Sequence, residues 1–221
     1  MALADSVKVN THPFKFLEDN KLVVDIRSSS ADDAEAMIQA ALQGGLRVFE
    51  ISMQTAQGFR ILENYSKKDD CLFGAGSITD GEMAQRAINA GARFVASSYT
   101  DRDVITVAKH NDVFVIQGAF TPTEAMNAYQ LGADVIRLFP VKFSGGPEYV
   151  KLLRSSFPFL KLMAHGGITM ENAFVFLKDC VAVAVGETLF DRSLLRADNW
   201  AEITDRARQL SQKLETLKTT K

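Results

Sequence analysis

Cysteine, histidine and proline are all scarce in this chain, and each shortage closes off a class of protein. Two cysteines in 221 residues, Cys71 and Cys180, cannot build a disulfide framework. Both lie in apolar, strand-like surroundings, where buried packing is expected rather than reactivity. Three histidines are few for a metal centre. Five prolines, no Gly/Ser-rich stretch and no run of like charges leave no linker at which to cut the chain, so one domain over 1–221 is expected. With 25 Lys and Arg against 27 Asp and Glu there is no basic surplus to suggest nucleic acid. No apolar run approaches the ~20 residues a membrane helix needs. No charged leader with an apolar core and a small-residue cleavage site opens the chain. The expectation is a cytoplasmic protein with neither nucleic-acid nor membrane partners.

What the chain does have is alternation. Short β-branched or aromatic runs take turns with longer segments of helical period almost to the C-terminus. The candidate strands are Lys21 to Arg27, Leu46 to Ser52, Cys71 to Ala75, Arg93 to Ser97, Val113 to Gln117, Asp134 to Phe139, Leu160 to Ala164 and Cys180 to Val185. Helical stretches lie between them, for example Ala31 to Gln43 and Gly81 to Ala90, several opening behind a Ser, Thr or Asp able to cap free amides. The segments LQGGLRVFE, INAGARFVAS and YQLGADVIRLFP each join a helix end, a glycine and a strand, which makes Gly45, Gly91 and Gly132 candidate C-terminal caps. Eight βα units of this size, in a chain 47% apolar, predict an α/β fold, a single closed (β/α)8 TIM barrel. An N-terminal capping helix carrying Phe14, Phe16 and Leu17 would close its bottom. The last helix, Asn199 to about Leu217, would pack through Trp200, Ile203 and Leu210. The rival doubly wound sheet would show a Gly-rich fingerprint after its first strand, where this chain has Ser28, Ser29 and Ser30.

In such a barrel the active site forms at the C-terminal ends of the strands. Side chains alternate inward and outward along a strand. If Glu50 points inward, Val48, Ser52 and Gln54 share its direction, and the same parity on the sixth strand gathers Val135, Arg137 and Phe139. A glutamate among Val48, Phe49 and Ile51 is costly to bury without a cation, hydrogen bonds or a proton-transfer task, so Glu50 is either a structural ion-pair partner or an acid/base. Asp25 and Arg27 would share a face of the first strand, either neutralising each other low in the barrel or adding charge to the pocket. His165 precedes a glycine pair, Gly166 and Gly167, whose amides can approach an anion. It is read as a general acid or base, a pocket donor or a packed loop residue. GAGSITD is a tight glycine turn with Ser77 at its open end.

Together the ordered segments VDIR, GGLRVFEISMQT, GAGSIT, ADVIRLFPVKFSGG, AHGGIT and VGETLF resemble the 2-keto-3-deoxy-6-phosphogluconate / 4-hydroxy-2-oxoglutarate aldolase family over nearly the whole chain. The resemblance implies a carbon–carbon lyase that cleaves or forms the bond next to pyruvate in a 2-keto acid through an imine on a lysine of the sixth strand, while the second-strand glutamate moves protons. No cofactor is implied, and a homotrimer is. Glu50 matches the glutamate, Arg27 matches an arginine for substrate anions, and Phe139 with Pro140 matches the strand end. Gly166 and Gly167 match the glycine pair at the substrate's anionic end, and Ser77 stands where a threonine is common.

The departures cluster in the pocket. Arg137 occupies the lysine position, and a guanidinium with a pKa above about 12 cannot supply the free amine that attacks a ketone. Gln54 replaces an arginine that grips the pyruvate carboxylate. Glu187 replaces a serine of the phosphate turn and would repel that group. Ser98 and His165 replace a proline and a threonine. Lys142, after the sixth strand, and Lys161, near the bottom of the seventh, are the other candidate imine lysines, and neither has an evident means of lowering its pKa. Three readings follow from these residues. One is a lyase for a small 2-keto acid, with Glu50 as acid/base, Arg137 holding carboxylate or enolate, and Arg27, Gln54, Ser77, Phe139, His165, Gly166, Gly167 and Glu187 around the substrate. The second is a non-catalytic barrel that binds a sugar acid or keto acid. The third is a metal-dependent variant on Asp25, Glu50 and His165, although nothing in their spacing imposes a metal geometry and no metal is expected.

Overall fold

Eight strands and ten helices make up the residues that the computed structural model describes, 12–219. The remainder of the expected 1–221 domain, residues 1–11 and 220–221, lies outside the described residues. The strands are β1 (Leu22–Ile26), β2 (Val48–Ser52), β3 (Leu72–Gly76), β4 (Phe94–Ala96), β5 (Phe114–Ala119), β6 (Val135–Leu138), β7 (Leu162–Ala164) and β8 (Ala182–Val185). They pair in sequence order, all parallel, and β8 returns to β1 to close a barrel. Closure rules out the doubly wound sheet. Each expected strand segment overlaps one observed strand, with ends shifted by two residues at most.

The helices are α1 (Pro13–Asn20), α2 (Ala31–Gln43), α3 (Gly58–Tyr65), α4 (Gly81–Asn89), α5 (Arg102–His110), α6 (Pro122–Leu131), α7 (Gly146–Ser156), α8 (Ala173–Phe176), α9 (Arg192–Arg196) and α10 (Trp200–Thr219). Their starts follow the local chemistry of free amides: Ser30, Asp80, Asp101 and Thr121 each accept an N–H of the first turn of α2, α4, α5 and α6. Gly45, Gly91 and Gly132 lie at or just past helix ends with φ of 95°, 94° and 104°, as expected of caps.

Burial falls into two layers. Outward-facing strand residues such as Val24, Ile51 and Phe73 meet the helices, whereas Val23, Val48, Leu72, Phe94, Phe114 and Val135 fill the barrel's inside. Helix α1 plugs the lower end by adding Phe16 and Leu17 to the inner cluster, which confirms the expected capping helix. Fully burying such a side chain is worth roughly 1.5–3 kcal/mol. Ile203 and Leu210 of α10 are buried as expected, and Trp200 packs partly buried against the outer core.

Register fixes which inward residues are neighbours, while the level rises by one inward step along each strand. Val23 pairs with Val48 and Val48 with Leu72, all within the inner cluster. One inward step higher, Asp25 pairs with Glu50. Gly118 pairs with Arg137, and Arg137 with Met163, which puts His165 one inward step above Arg137 on the neighbouring strand.

Candidate active site

Two carboxylates side by side on adjacent strands repel each other unless each has its own hydrogen-bonding partner. The barrel provides that for both. Arg137 of β6 crosses the full diameter to Glu50 of β2: Nη1 donates to Oε1 at 2.9 Å, and Nη2 donates to Oε2. This planar fork is a bidentate pair. Arg137 is 1% exposed and Glu50 2% exposed, so the pair is fully withdrawn from water, and its two members depend on each other. Between Glu50 as structural ion-pair partner and Glu50 as free acid/base, the resting geometry favours the first. Gly76 of β3 makes the arrangement possible, because a Cβ there would lie 2.1 Å from Glu50 Oε1.

Asp25 takes a different partner. His165, directly after β7, brings Nε2 to 3.3 Å from Asp25 Oδ2. Burial raises the Asp25 carboxyl, but the hydrogen bond from His165, followed by the charges of Arg137 and Arg27, outweighs it and holds the carboxyl below the ordinary carboxylate range. Of the two readings of Asp25 with Arg27, mutual neutralisation low in the barrel gives way to added charge at the pocket: Asp25 sits level with Glu50, its close partner is the imidazole, and Arg27 is exposed at the rim. The His165 ring lies 5.1 Å from that of Phe139, centroid to centroid. Its backbone is held between β6 and the following loop: His165 N–H donates to Leu138 O at 3.1 Å, and its carbonyl accepts from Val141 N–H at 2.8 Å.

The remaining expected residues form the rim. Ser77, at φ 57°, shares a hydrogen bond of 2.8 Å with Ser52, which completes the inward row Val48, Glu50, Ser52. Gln54 continues that row in sequence, yet its side chain is exposed beyond the strand end. Gly166 and Gly167 have φ of 82° and 87°, and the Lys142 side chain lies over Gly167, where a Cβ would meet Lys142 Cβ at 2.4 Å. Glu187 is exposed on the loop after β8. Lys142 is exposed as well. Lys161 lies at the opposite end, 3.6 Å from Glu18 and with its Nζ over the Phe14 ring of α1. Among the described residues no group of three or more His, Cys, Asp or Glu is arranged to hold a metal ion, so Asp25, Glu50 and His165 do not form the ligand set of the metal-dependent reading. Cys71 and Cys180 are buried, and burial pushes both thiols up to about 12, which keeps them protonated and inert. A groove of about 810 Å³ opens beside the mouth, lined in part by Tyr99, Arg102, Phe120 and Glu124, and reaches the charged cluster only at Phe139.

Sequence reasoning found the inward direction of Glu50 and Arg137, but not the coupling of Asp25 with His165. The signal was parity: His165 stands two residues after inward-facing Met163, just as Asp25 stands two after Val23.

A closed (β/α)8 barrel whose mouth concentrates paired acids and bases has the architecture of a barrel enzyme with its chemistry at the strand ends. The sequence profile of the KDPG and KHG aldolase family matches residues 15–206, and the chain belongs to that family, whose named members are carbon–carbon lyases. The 2-dehydro-3-deoxy-phosphogluconate aldolase of Pseudomonas aeruginosa is 28% identical over 80% of this chain and 81% of its own length. The 2-dehydro-3-deoxy-6-phosphogalactonate aldolase of Escherichia coli is 27% identical over 76% of this chain and 84% of its own. A KDPG aldolase from Legionella pneumophila, solved with pyruvate as a covalent carbinolamine intermediate, superposes with a TM-score of 0.80 at 24% identity, covering 90% of this chain and 98% of that one. At that identity the likeness speaks for the fold. No helix among the described residues is long and apolar enough to cross a membrane.

Proposed function

We propose that this barrel is an aldolase-type lyase acting on a small, unphosphorylated 2-keto acid, releasing or adding pyruvate without an imine on lysine. The observation that carries the reading is the buried guanidinium of Arg137, doubly bonded to Glu50 where the family resemblance calls for an amine. Permanently protonated, it is suited to an anion and unsuited to nucleophilic attack. Two of its five N–H donors are used by Glu50, and its Nε–H is buried with no partner among the described residues. Donors of this kind stabilise the negative charge that develops on the keto oxygen as the carbon–carbon bond breaks.

In this proposal Arg137 and Glu50 are the catalytic pair. Glu50 is the counter-ion at rest and turns into an acid/base once substrate takes over the guanidinium. Arg27 at the rim steers the substrate carboxylate. Gln54, Ser77, Phe139, His165, Gly166 and Gly167 surround the bound molecule. Glu187, beside the expected phosphate turn, supports a substrate with no phosphate. We place the reaction in the cytoplasm, consistent with two unpaired buried thiols. We propose a homotrimer, for which the exposed rings of Tyr99, Phe120, Tyr129 and Phe159 offer apolar surface; light scattering tests it.

A non-catalytic barrel that binds a sugar acid or keto acid is the second reading, favoured by the fact that both Glu50 oxygens are already occupied. Pyruvate release from a panel of 4-hydroxy-2-keto acids separates the two: turnover that collapses by about a hundredfold or more in E50Q supports the lyase. No turnover on any substrate supports binding alone. Borohydride with pyruvate should leave the wild-type chain unlabelled, and a reduced adduct mapped to Lys142 or Lys161 overturns the non-covalent mechanism.

A further inference from the structure

One base at the mouth has no bond to give up, and it is not Glu50; its free nitrogen is buried, so it meets a substrate only once the ring or its cover shifts. His165 turns Nε2 to the Asp25 carboxylate, while its Nδ1 is buried with no hydrogen-bond partner among the described residues. A buried polar nitrogen with nothing to bond is rare, because it forfeits the hydrogen bond it had in water. The choice of tautomer decides how large that penalty is. With Nε2–H donated to Asp25, Nδ1 carries a lone pair, and with the proton on Nδ1 both nitrogens would be mismatched. A carboxylate beside one ring nitrogen fixes the proton there and orients the ring. Asp25 is well suited to that task because His165, Arg137 and Arg27 keep it ionised.

We infer that Asp25 and His165 form the proton-moving dyad of this barrel, with His165 Nδ1 as the catalytic base for a 2-keto acid held at the mouth and Asp25 as its positioning residue. The inference rests on the keto-acid reading above and moves its proton transfer from Glu50 to the dyad, leaving Glu50 as the counter-ion of Arg137. The geometry divides the labour. Glu50 has both oxygens bonded to Arg137 and must break a fully buried pair to accept a proton, whereas His165 Nδ1 breaks nothing. His165 is only 16% exposed and Asp25 21%, which limits competition from water. The Phe139 ring walls one side.

In cleavage, the Nδ1 lone pair takes the proton of the C4 hydroxyl, and the C4 carbonyl forms as the C3–C4 bond breaks. That bond's electron pair forms the C2–C3 double bond, and the former C2 carbonyl pair moves to oxygen as an enolate facing the guanidinium charge. The imidazolium then returns its proton to C3, giving pyruvate. Nothing is oxidised or reduced, and the proton removed from oxygen is the one delivered to carbon.

The second half of that sequence runs in reverse on pyruvate alone, with Nδ1 taking a C3 proton and returning a deuteron from solvent, so the test needs no knowledge of the natural aldehyde. Wild-type protein is incubated with pyruvate in deuterium oxide, and loss of the methyl proton signal is followed by NMR. H165A should exchange about a hundredfold more slowly or worse, with the KM for pyruvate little changed, and added imidazole should restore part of the rate. D25N keeps the ring but offers an amide donor to Nε2, which drives the ring proton to Nδ1. Exchange should fall with His165 intact, and nitrogen NMR should record the tautomer switch. Exchange that persists in H165A overturns the dyad while leaving the keto-acid reading in place. Loss in H165A with no imidazole rescue, and no tautomer change in D25N, overturns it in favour of a packing role. A wild-type chain that exchanges nothing overturns the keto-acid reading and takes the dyad with it.

Discussion

The lower and upper halves of the barrel are built from the same strands and differ by one inward step. Below, β1, β2, β6 and β7 contribute Val23, Val48, Val135 and Met163, which pack with the α1 plug into a dry cluster. One step above, the same strands contribute Asp25, Glu50, Arg137 and His165. Between and beside them, β8, β3 and β5 make the same step to Gly186, Gly74 and Gly118. Strand formation and closure are therefore indifferent to what fills the upper level. The division teaches that stability is supplied from below and that the charge at the mouth is retained at a cost, since buried ion pairs rarely outperform apolar packing of similar volume.

Three measurements sharpen or break that division. The largest effect is expected from R137M, which strands the Glu50 carboxylate in a dry site and should cost about 3–5 kcal/mol in urea unfolding. R137M combined with E50L should recover most of that loss, because an apolar pair of similar volume is neutral or stabilising. A double variant as unstable as the single one would show that the upper level is structural after all. In the lower half, M163A should cost about 2–5 kcal/mol through the cavity it leaves. Its keto-acid exchange rate at saturating pyruvate should stay within a few-fold of wild type, and a collapse in rate would merge the two halves. The smallest effect is on acid stability. The folded Asp25 carboxyl lies below its unfolded value, so its contribution is complete above the ordinary carboxylate range and is lost as pH falls through the lower folded value. D25N should therefore flatten that limb of the stability–pH curve, and an unchanged limb would mean that Asp25 is not coupled to His165.

The barrel was legible because its determinants are local. Hydrophobic period, a glycine after the helix and a capping residue before the next one each operate within a few residues, and the repeat multiplied the signal. Inward direction was legible for the same reason, as Glu50 and Arg137 show. Partnership was not. Glu50 and Arg137 lie 87 residues apart in sequence and meet only because β2 and β6 are opposed across a closed ring. Asp25 shares a strand with Arg27, so a reading along the chain pairs those two, whereas closure and register bring in His165 from β7. Gln54 and Arg27 kept the right parity but lie past the strand ends, where chain direction is no longer set by the sheet.

The Glu50–Arg137 link also has a mechanical side. Hydrogen bonding around the circumference resists stretching of a ring but does little against its being squeezed oval, and a tie between opposite walls supplies that missing stiffness. An anion that captures Arg137 unties the wheel along one diameter only, while the Asp25–His165 chord stays fastened. Occupancy of this pocket is thus expected to register as faster amide exchange in β2 and β6, at walls far apart in the chain, with β1 and β7 keeping time as before.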